Sequence, residues 1–410
     1  MIRRVAWAAV VAVLLVVPAS AGAARVEGHS VDSGGPFAIA PGPGNNAVTV
    51  GARDCGYLGR FGLVSESLTI FTGNPPLPCS PGDGVYSTVV GPDGKIYFTI
   101  YSGKVGRVNP DGTGYEDATV GLHPLDIAVG DDGNVWFAVN GPPGGLGRIV
   151  PSTFPGGVTQ HDVPLDVQGP RGVIPHPNGK LYLTGGEADK VWAVTPGDPP
   201  TFDEVGPALD GPSYGEVGPG GNVWFTLFEG AGVVRLNPAN EQATTFGNVG
   251  VTPFDVAFGS DRKAYVTDSG ADVITQLDPA TDERDPLDLP GTGGFPTMIA
   301  EAGDGHLYAA GYGSDKVYEV TPDDIKPPQT KITDAPNRRI HQSRARVGFR
   351  STEPGSTFKC KLDRGRFRGC RSPKRLNGLS RGRHVFQVKA TDRAGNTDRT
   401  PAKAAFKVVG

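Results

Sequence analysis

The stretch that decides the fold is Val129-Gly130-Asp131-Asp132-Gly133-Asn134-Val135-Trp136-Phe137-Ala138, because it returns along the chain. Val90-Gly91-Pro92-Asp93-Gly94-Lys95-Ile96-Tyr97-Phe98-Thr99 and Val217-Gly218-Pro219-Gly220-Gly221-Asn222-Val223-Trp224-Phe225-Thr226 repeat it closely. A looser copy runs from Phe258 to Thr267, shorter ones surround Gly179 and Gly305, and a degenerate one spans Pro43 to Val50. A tight Asp-Gly or Gly-Asn turn between two apolar runs is a strong hairpin signal. Taking the turn residue of each copy as a marker gives positions 45, 94, 133, 179, 221, 262 and 305. A repeat of roughly 40–45 residues holding several short strands is the signature of a propeller blade.

Seven copies predict an all-β chain with a seven-bladed β-propeller over residues 30–325. In each unit an inner strand such as Asp126-Ile127-Ala128-Val129 leads into the turn. The next strand carries an aromatic (Tyr97, Trp136, Tyr182, Trp224, Tyr265 or Tyr308) suited to wedge between blades. One blade exposes two apolar faces, so the ring must close to bury them. The 61 Gly and 38 Pro approach the content at which disorder is suspected, but they sit at regular turn positions, as an all-β protein requires.

Before the repeats, Arg3 and Arg4 precede the apolar run Val5–Val17, Pro18 and small residues through Ala23. That pattern predicts a signal peptide over residues 1–23 and an exported, extracellular protein. The four cysteines agree with export. Cys55 with Cys79 and Cys360 with Cys370 are the pairs expected, each within one hairpin or blade, although four cysteines allow three pairings.

After the repeats, residues 326–330 read as a Pro-rich linker and 331–410 as a small domain of period-2 strands. Charge divides between the two parts. From Lys326 onward there are 22 Lys and Arg against 5 Asp and Glu, which leaves 17 basic and 38 acidic residues before it. Arg346, Arg350, Lys359 and Lys361 alternate with apolar residues, which predicts one broadly basic sheet face. Such a face suits an anionic cell-wall polymer or cell surface, or the acidic propeller itself. Nucleic acid is not expected as a partner of an exported protein.

The G-P-D-G-x-apolar-aromatic-F-T strand pair, with the following V-G-R strand at Val105-Gly106-Arg107, resembles the streptogramin lyase (virginiamycin B lyase-like) propellers. The run Glu353-Pro354-Gly355-Ser356-Thr357-Phe358 and the later Ala390-Thr391-Asp392-Arg393-Ala394-Gly395-Asn396 resemble bacterial Ig-like domains, so 331–410 is expected to be a basic Ig-like β-sandwich. The propeller resemblance implies a His base and acidic residues holding Mg²⁺ around the central axis. The family's strand reads W-F-T-E, with its acid six residues past the marker. Here that position holds Gly51, Ile100, Val139, Gly185, Leu227, Asp268 and Gly311, so only Asp268 keeps an acid. The Glu-x-His pair associated with that active site is absent from the chain.

The remaining candidates follow from the repeat. Asp126 and Asp255 lie seven residues before their markers, where Tyr214 stands in its own unit, and Glu216 is close by. With Asp268 they could hold a cation, Mg²⁺ or Ca²⁺, through oxygen ligands; Tyr214 and Glu216 could line a ligand site. The alternative for Asp126 and Asp255 is capping of backbone amides. His123, entering an inner strand, is the candidate general base. These positions lead to the expectation of a secreted propeller that binds a small molecule or protein in its funnel. The alternative is a lyase-like or lactonase-like enzyme with a divalent cation there.

Overall fold

The computed structural model describes residues 23–410 except 32–33, 55–56, 72–83, 142–143, 165–168, 324–325, 354 and 393–395. The expected leader lies almost wholly outside the described residues, as do Cys55 and Cys79. The chain forms two compact units, Ala24–Pro322 and one built on Asp323–Gly410.

Ala24–Pro322 holds seven four-stranded antiparallel sheets. Their innermost strands are Pro36–Pro41, Val85–Val90, Pro124–Val129, Pro170–Pro175, Pro212–Gly218, Pro253–Phe258 and Pro296–Glu301, and each touches the next, the last returning to the first. We number the blades 1 to 7 in that order. Six blades use four consecutive strands. Blade 7 takes its outermost strand from the start of the unit: Arg25–Ser30 pairs antiparallel with Lys316–Thr321. The ring therefore begins at residue 24 and not at 30, and the first strand latches the last blade. His29 on that strand bonds Glu319 at 2.9 Å. His306, which a turn position alone would leave in water, contacts the same carboxylate.

The repeat motif has a physical reading. The turn residue four before each wedge aromatic bonds that ring's polar tip, as Asp93 does for Tyr97, Asp132 for Trp136, Asp261 for Tyr265 and Asp304 for Tyr308. Asn178 does so for Tyr182 as the donor. The rings are fully buried and pack against the following blade: Tyr97 on Ile127 and Val135, Trp136 on Val173 and Leu181, Tyr308 on Val48 and Val50. Blade 5 has Gly220 in place of the acid, and Trp224 Nε1 is buried without an acceptor among the described residues.

The Thr of the F-T motif staples the ring. Every innermost strand has a register shift just after its first residue, which leaves bulge residues outside the ladder. Thr99 Oγ1 accepts the N–H of bulge residue Ser87 and donates to Leu125 O of the next blade. Thr267 likewise accepts from Asp255 N and donates to Thr297 O, and Thr226 donates to Phe254 O. One hydroxyl thus satisfies both a backbone donor and a backbone acceptor that would otherwise be orphaned.

The second unit has a three-stranded sheet, ordered Thr330–Asp334, Ala345–Ser351, Lys374–Leu376. Its other sheet runs Arg339–Ile340, Ala402–Val408, Gly382–Thr391, Thr357–Leu362, Arg368–Cys370. Val347, Phe349 and Leu376 of the first meet Phe386, Val388, Ala404 and Phe406 of the second in one core. Cys360 and Cys370 form a disulfide between neighbouring strands. The expected single basic face is corrected here. Arg346 and Arg350 belong to the three-stranded sheet, whereas Lys359 and Lys361 belong to the five-stranded one. Thr330, placed in the linker by composition, already lies in a strand.

Candidate functional site at the propeller mouth

Two residues follow the opening position of each inner strand at its bulge, both outside the ladder except in blade 1, where the second, Ala38, pairs with Gly51. The first is Phe37, Tyr86, Leu125, Arg171, Ser213, Phe254 or Thr297 in blades 1 to 7; the second is Ala38, Ser87, Asp126, Gly172, Tyr214, Asp255 or Met298. Large residues in the first tier meet. Phe37 packs on Tyr86 with ring centroids 4.7 Å apart and, past the short Thr297 of blade 7, on Phe254 of blade 6 at 5.4 Å. Phe37, Tyr86 and Leu125 are all buried, with Tyr101, Phe254 and Tyr312 packed against them. Side chains from blades 1, 2, 3, 6 and 7 thus meet at this level in a largely aromatic cluster.

The predicted carboxylates lie at the next level and are engaged by backbone. Asp126 accepts N–H groups from Ile127 and from Val173 of the following blade, and a hydroxyl from Ser87 of the preceding one. Asp255 accepts from Val256 and from Ile299 of blade 7, and Glu216 from Phe258 of blade 6. Each side chain ties one inner strand to its neighbour. Burial pushes their carboxyls up, Asp126 to about 6, Asp255 to about 7 and Glu216 to about 8, against the lowering effect of the donated N–H groups. Tyr214 is buried and stacked on Phe254, 5.1 Å away; burial raises its hydroxyl as well.

Asp268 is fully buried and accepts four backbone N–H groups, from Val251, Thr252, Gly270 and Ala271. That arrangement secures the loop leading into its blade. The other positions of the family's acid are packed shut. A Cβ on Gly51 would lie 2.4 Å from Val85, one on Gly185 2.6 Å from Trp192, and one on Gly311 2.5 Å from Tyr318. Among the described residues no three His, Cys, Asp or Glu are placed to hold one metal ion. The Mg²⁺ that the resemblance implies therefore finds no fitting donor set in Asp126, Asp255 and Asp268.

His123 lies elsewhere, on the rim. Its backbone is left-handed (φ 57°), and its ring stacks on Tyr101 at 4.1 Å with planes 12° apart. Tyr101 in turn stacks on Tyr86 at 4.5 Å, so four rings form a continuous run from Phe37 to His123. The contact that places the imidazole among the described residues is this ring stack. Around this run Leu122, Val251 and Phe295 are exposed in the loops that lead into blades 3, 6 and 7. The Arg53 guanidinium sits 5.1–5.5 Å from the centroids of Phe37, Tyr86 and Tyr312, and its Nε is buried without an acceptor. Arg171 covers Phe228 at 5.1 Å.

Sequence reasoning missed Arg53, Tyr101, Tyr312 and Phe228. The signal was available in the repeat. The seventh residue past each marker reads Ala52, Tyr101, Asn140, Gly186, Phe228, Ser269 and Tyr312, so three blades put an aromatic at one position.

Comparison with known proteins agrees with this fold. The sequence model of the virginiamycin B lyase family matches residues 156–326. A streptogramin B lyase structure is 18% identical with a TM-score of 0.63, over 73% of this chain and 97% of that one. A virginiamycin B lyase from Staphylococcus aureus is 20% identical with a TM-score of 0.62, over 73% and 99%. An extracellular domain from B. thetaiotaomicron is 12% identical with a TM-score of 0.57, over 94% of this chain and 59% of that one. No curated protein matches at a significant level. The repeat, the seven sheets and these likenesses together make residues 24–322 a seven-bladed β-propeller similar in fold to the virginiamycin B lyases, whose family model matches its second half.

Proposed function

We propose that this chain is an exported binding protein, whose propeller mouth holds a ligand with flat ring faces, and that it performs no lyase chemistry. The observation that carries the reading is the exchange of an acidic axis for an aromatic one. Phe37, Tyr86 and Leu125 form a buried cluster, and Asp126 and Asp255, which follow Leu125 and Phe254 in their bulges, are engaged with backbone amides. Half-buried rings such as Tyr101, His123 and Tyr312, beside guanidinium groups, can recognise planar or sugar rings through π-stacking and cation–π contact. Arg53 Nε, buried and without an acceptor among the described residues, adds a site for an anionic or carbonyl oxygen. Export is supported by the residue 1–23 pattern and by the extracellular domain among the similar structures. In the second unit, the order of the two sheets, with Arg339–Ile340 parallel to Ala402–Val408, supports an Ig-like sandwich.

The test uses the purified full chain with a streptogramin B, with and without Mg²⁺, followed by chromatography. No ring opening is expected. Mg²⁺-dependent opening that His123→Ala abolishes would restore the enzyme reading. In parallel, a planar aromatic sulfonate is titrated by fluorescence. Binding should weaken about tenfold in Tyr101→Ala and in Arg53→Ala, and unchanged affinity in both would remove the mouth as its site.

A further inference from the structure

The five-stranded sheet of the second unit turns one face to the core and the other outward. Along Ala402–Val408 the core residues Ala404, Phe406 and Val408 alternate with the exposed Lys403, Ala405 and Lys407. Its neighbours follow the same alternation, so Arg339, Arg383, Lys389, Lys359 and Lys361 share the outer face with Lys403 and Lys407. Seven cations stand there, and the strands contribute no acid to that face. Among the described residues none of the seven has a carboxylate within 4.0 Å.

The register makes this arrangement costly to the fold. Lys407 lies directly opposite both Arg339 and Arg383, and Lys359 opposite Lys389. Like charges directly opposite each other destabilise a sheet. Neutral or alternating residues would serve folding and solubility better, so the repulsion points to a ligand that relieves it. Lys361 and Lys389 also flank the Phe367 ring, at 4.8 and 5.1 Å from its centroid. At the other end a groove of ≈ 690 Å³ is lined by Arg338, Arg339, Arg383, Ala405, Phe406 and Lys407. Among the described residues of this unit no large hydrophobic side chain is exposed, so those residues offer no apolar wedge for a lipid layer.

We propose that this face binds a linear polyanion with charge repeating along its chain, of the polyphosphate or poly(phosphodiester) class. Neighbouring strands lie about 5 Å apart and alternate residues of one strand about 7 Å apart, which matches the spacing of charges along such a chain. The proposal deepens the cell-surface part of the reading above by naming the chemistry that would hold the protein there. It uses none of the propeller residues, so it stands or falls separately from the mouth.

The experiment titrates the purified full chain with long-chain inorganic polyphosphate at several salt concentrations. Binding is expected to weaken steeply with salt as counterions are released. Arg383→Gln with Lys407→Gln should lower affinity at least tenfold and flatten the salt dependence. Arg346→Gln with Arg375→Gln removes the same charge from the other sheet and should change affinity less than twofold. Equal losses in the two double variants would mean attraction to net charge alone and would overturn the assignment. So would absence of polyphosphate binding, or binding to phosphatidylserine vesicles without it. The planar sulfonate titration run on the same proteins shows whether the mouth reading fails independently.

Discussion

The two units handle charge in opposite ways. The propeller is rich in carboxylates and directs many of them inward, at its own backbone. Asp189, Asp272 and Asp315, each in a left-handed conformation, accept N–H groups from the loops leading into the next blades, at Gly211, at Gly293 and Phe295, and at Gly34 and Gly35. Asp268, Asp255 and Asp126 do the same around the inner strands. The second unit is rich in cations. Among the described residues the seven on the outer face of its five-stranded sheet have no carboxylate within 4.0 Å, while its acids Asp363, Asp392 and Asp398 accept backbone N–H groups. Acidic composition in the propeller therefore reports architecture. Basic composition in the second unit reports charge displayed on an exposed sheet face.

The strongest attempt to break this contrast is Asp268→Ala. It orphans four backbone donors in a buried place, and we expect a loss of about 3–5 kcal/mol in the propeller's urea unfolding. A loss under about 1 kcal/mol would show that the carboxylate is not holding its loop. Asp255→Ala removes the acceptor of two amides, one on blade 7, and should cost about 2–3 kcal/mol.

A pH titration sharpens the same point. Asp126, Asp255 and Glu216 have folded-state pKa values raised to about 6, 7 and 8, above the ordinary carboxyl range they regain on unfolding. Between those limits the folded state binds more protons than the unfolded one, so their contribution is complete at low pH and is lost as pH rises through 6 to 8. The propeller's melting temperature should fall over that window, and the fall should be smaller in Glu216→Gln. A melting temperature that rises across the same interval would contradict the buried placement of these groups.

Smaller effects test the staples and the displayed cations. Thr267→Val keeps the shape and loses the hydroxyl between blades 6 and 7, for an expected cost of about 1–2 kcal/mol. Arg383→Gln in the second unit should have the opposite sign, a gain of a few tenths, about 0.3–0.5 kcal/mol, from relief of the Lys407 repulsion. Added salt should reproduce that gain and leave the propeller transition nearly unmoved. Destabilisation by Arg383→Gln would mean that this cation supports the fold after all.

Much of the fold was legible because a propeller repeats a local rule. The turn glycine, the acid before it and the aromatic four residues after that acid all act within one hairpin, so they leave a periodic mark in sequence. The closing role of Arg25–Ser30 left no such mark, since its partner lies at Lys316–Thr321, nearly the whole ring away. The division of Arg346 and Arg350 from Lys359 and Lys361 was hidden for a similar reason. Period-2 alternation says which residues share a strand face, but not which strands share a sheet.

The candidate site shows the same boundary. From the sequence alone it followed that Gly51, Ile100, Val139, Gly185, Leu227 and Gly311 stand where the resembling propellers have an acid, and that the chain has no Glu-x-His pair. Only the tertiary structure decided what stands in place of those acids, because axial chemistry depends on side chains from different blades converging at one level. There Phe37 of blade 1 meets Phe254 of blade 6, Asp126 and Asp255 turn to the amides of their neighbours, and Arg53 comes to rest over three rings. A repeat encodes the blade within its own residues, whereas the contents of the axis are set by the closure of the ring.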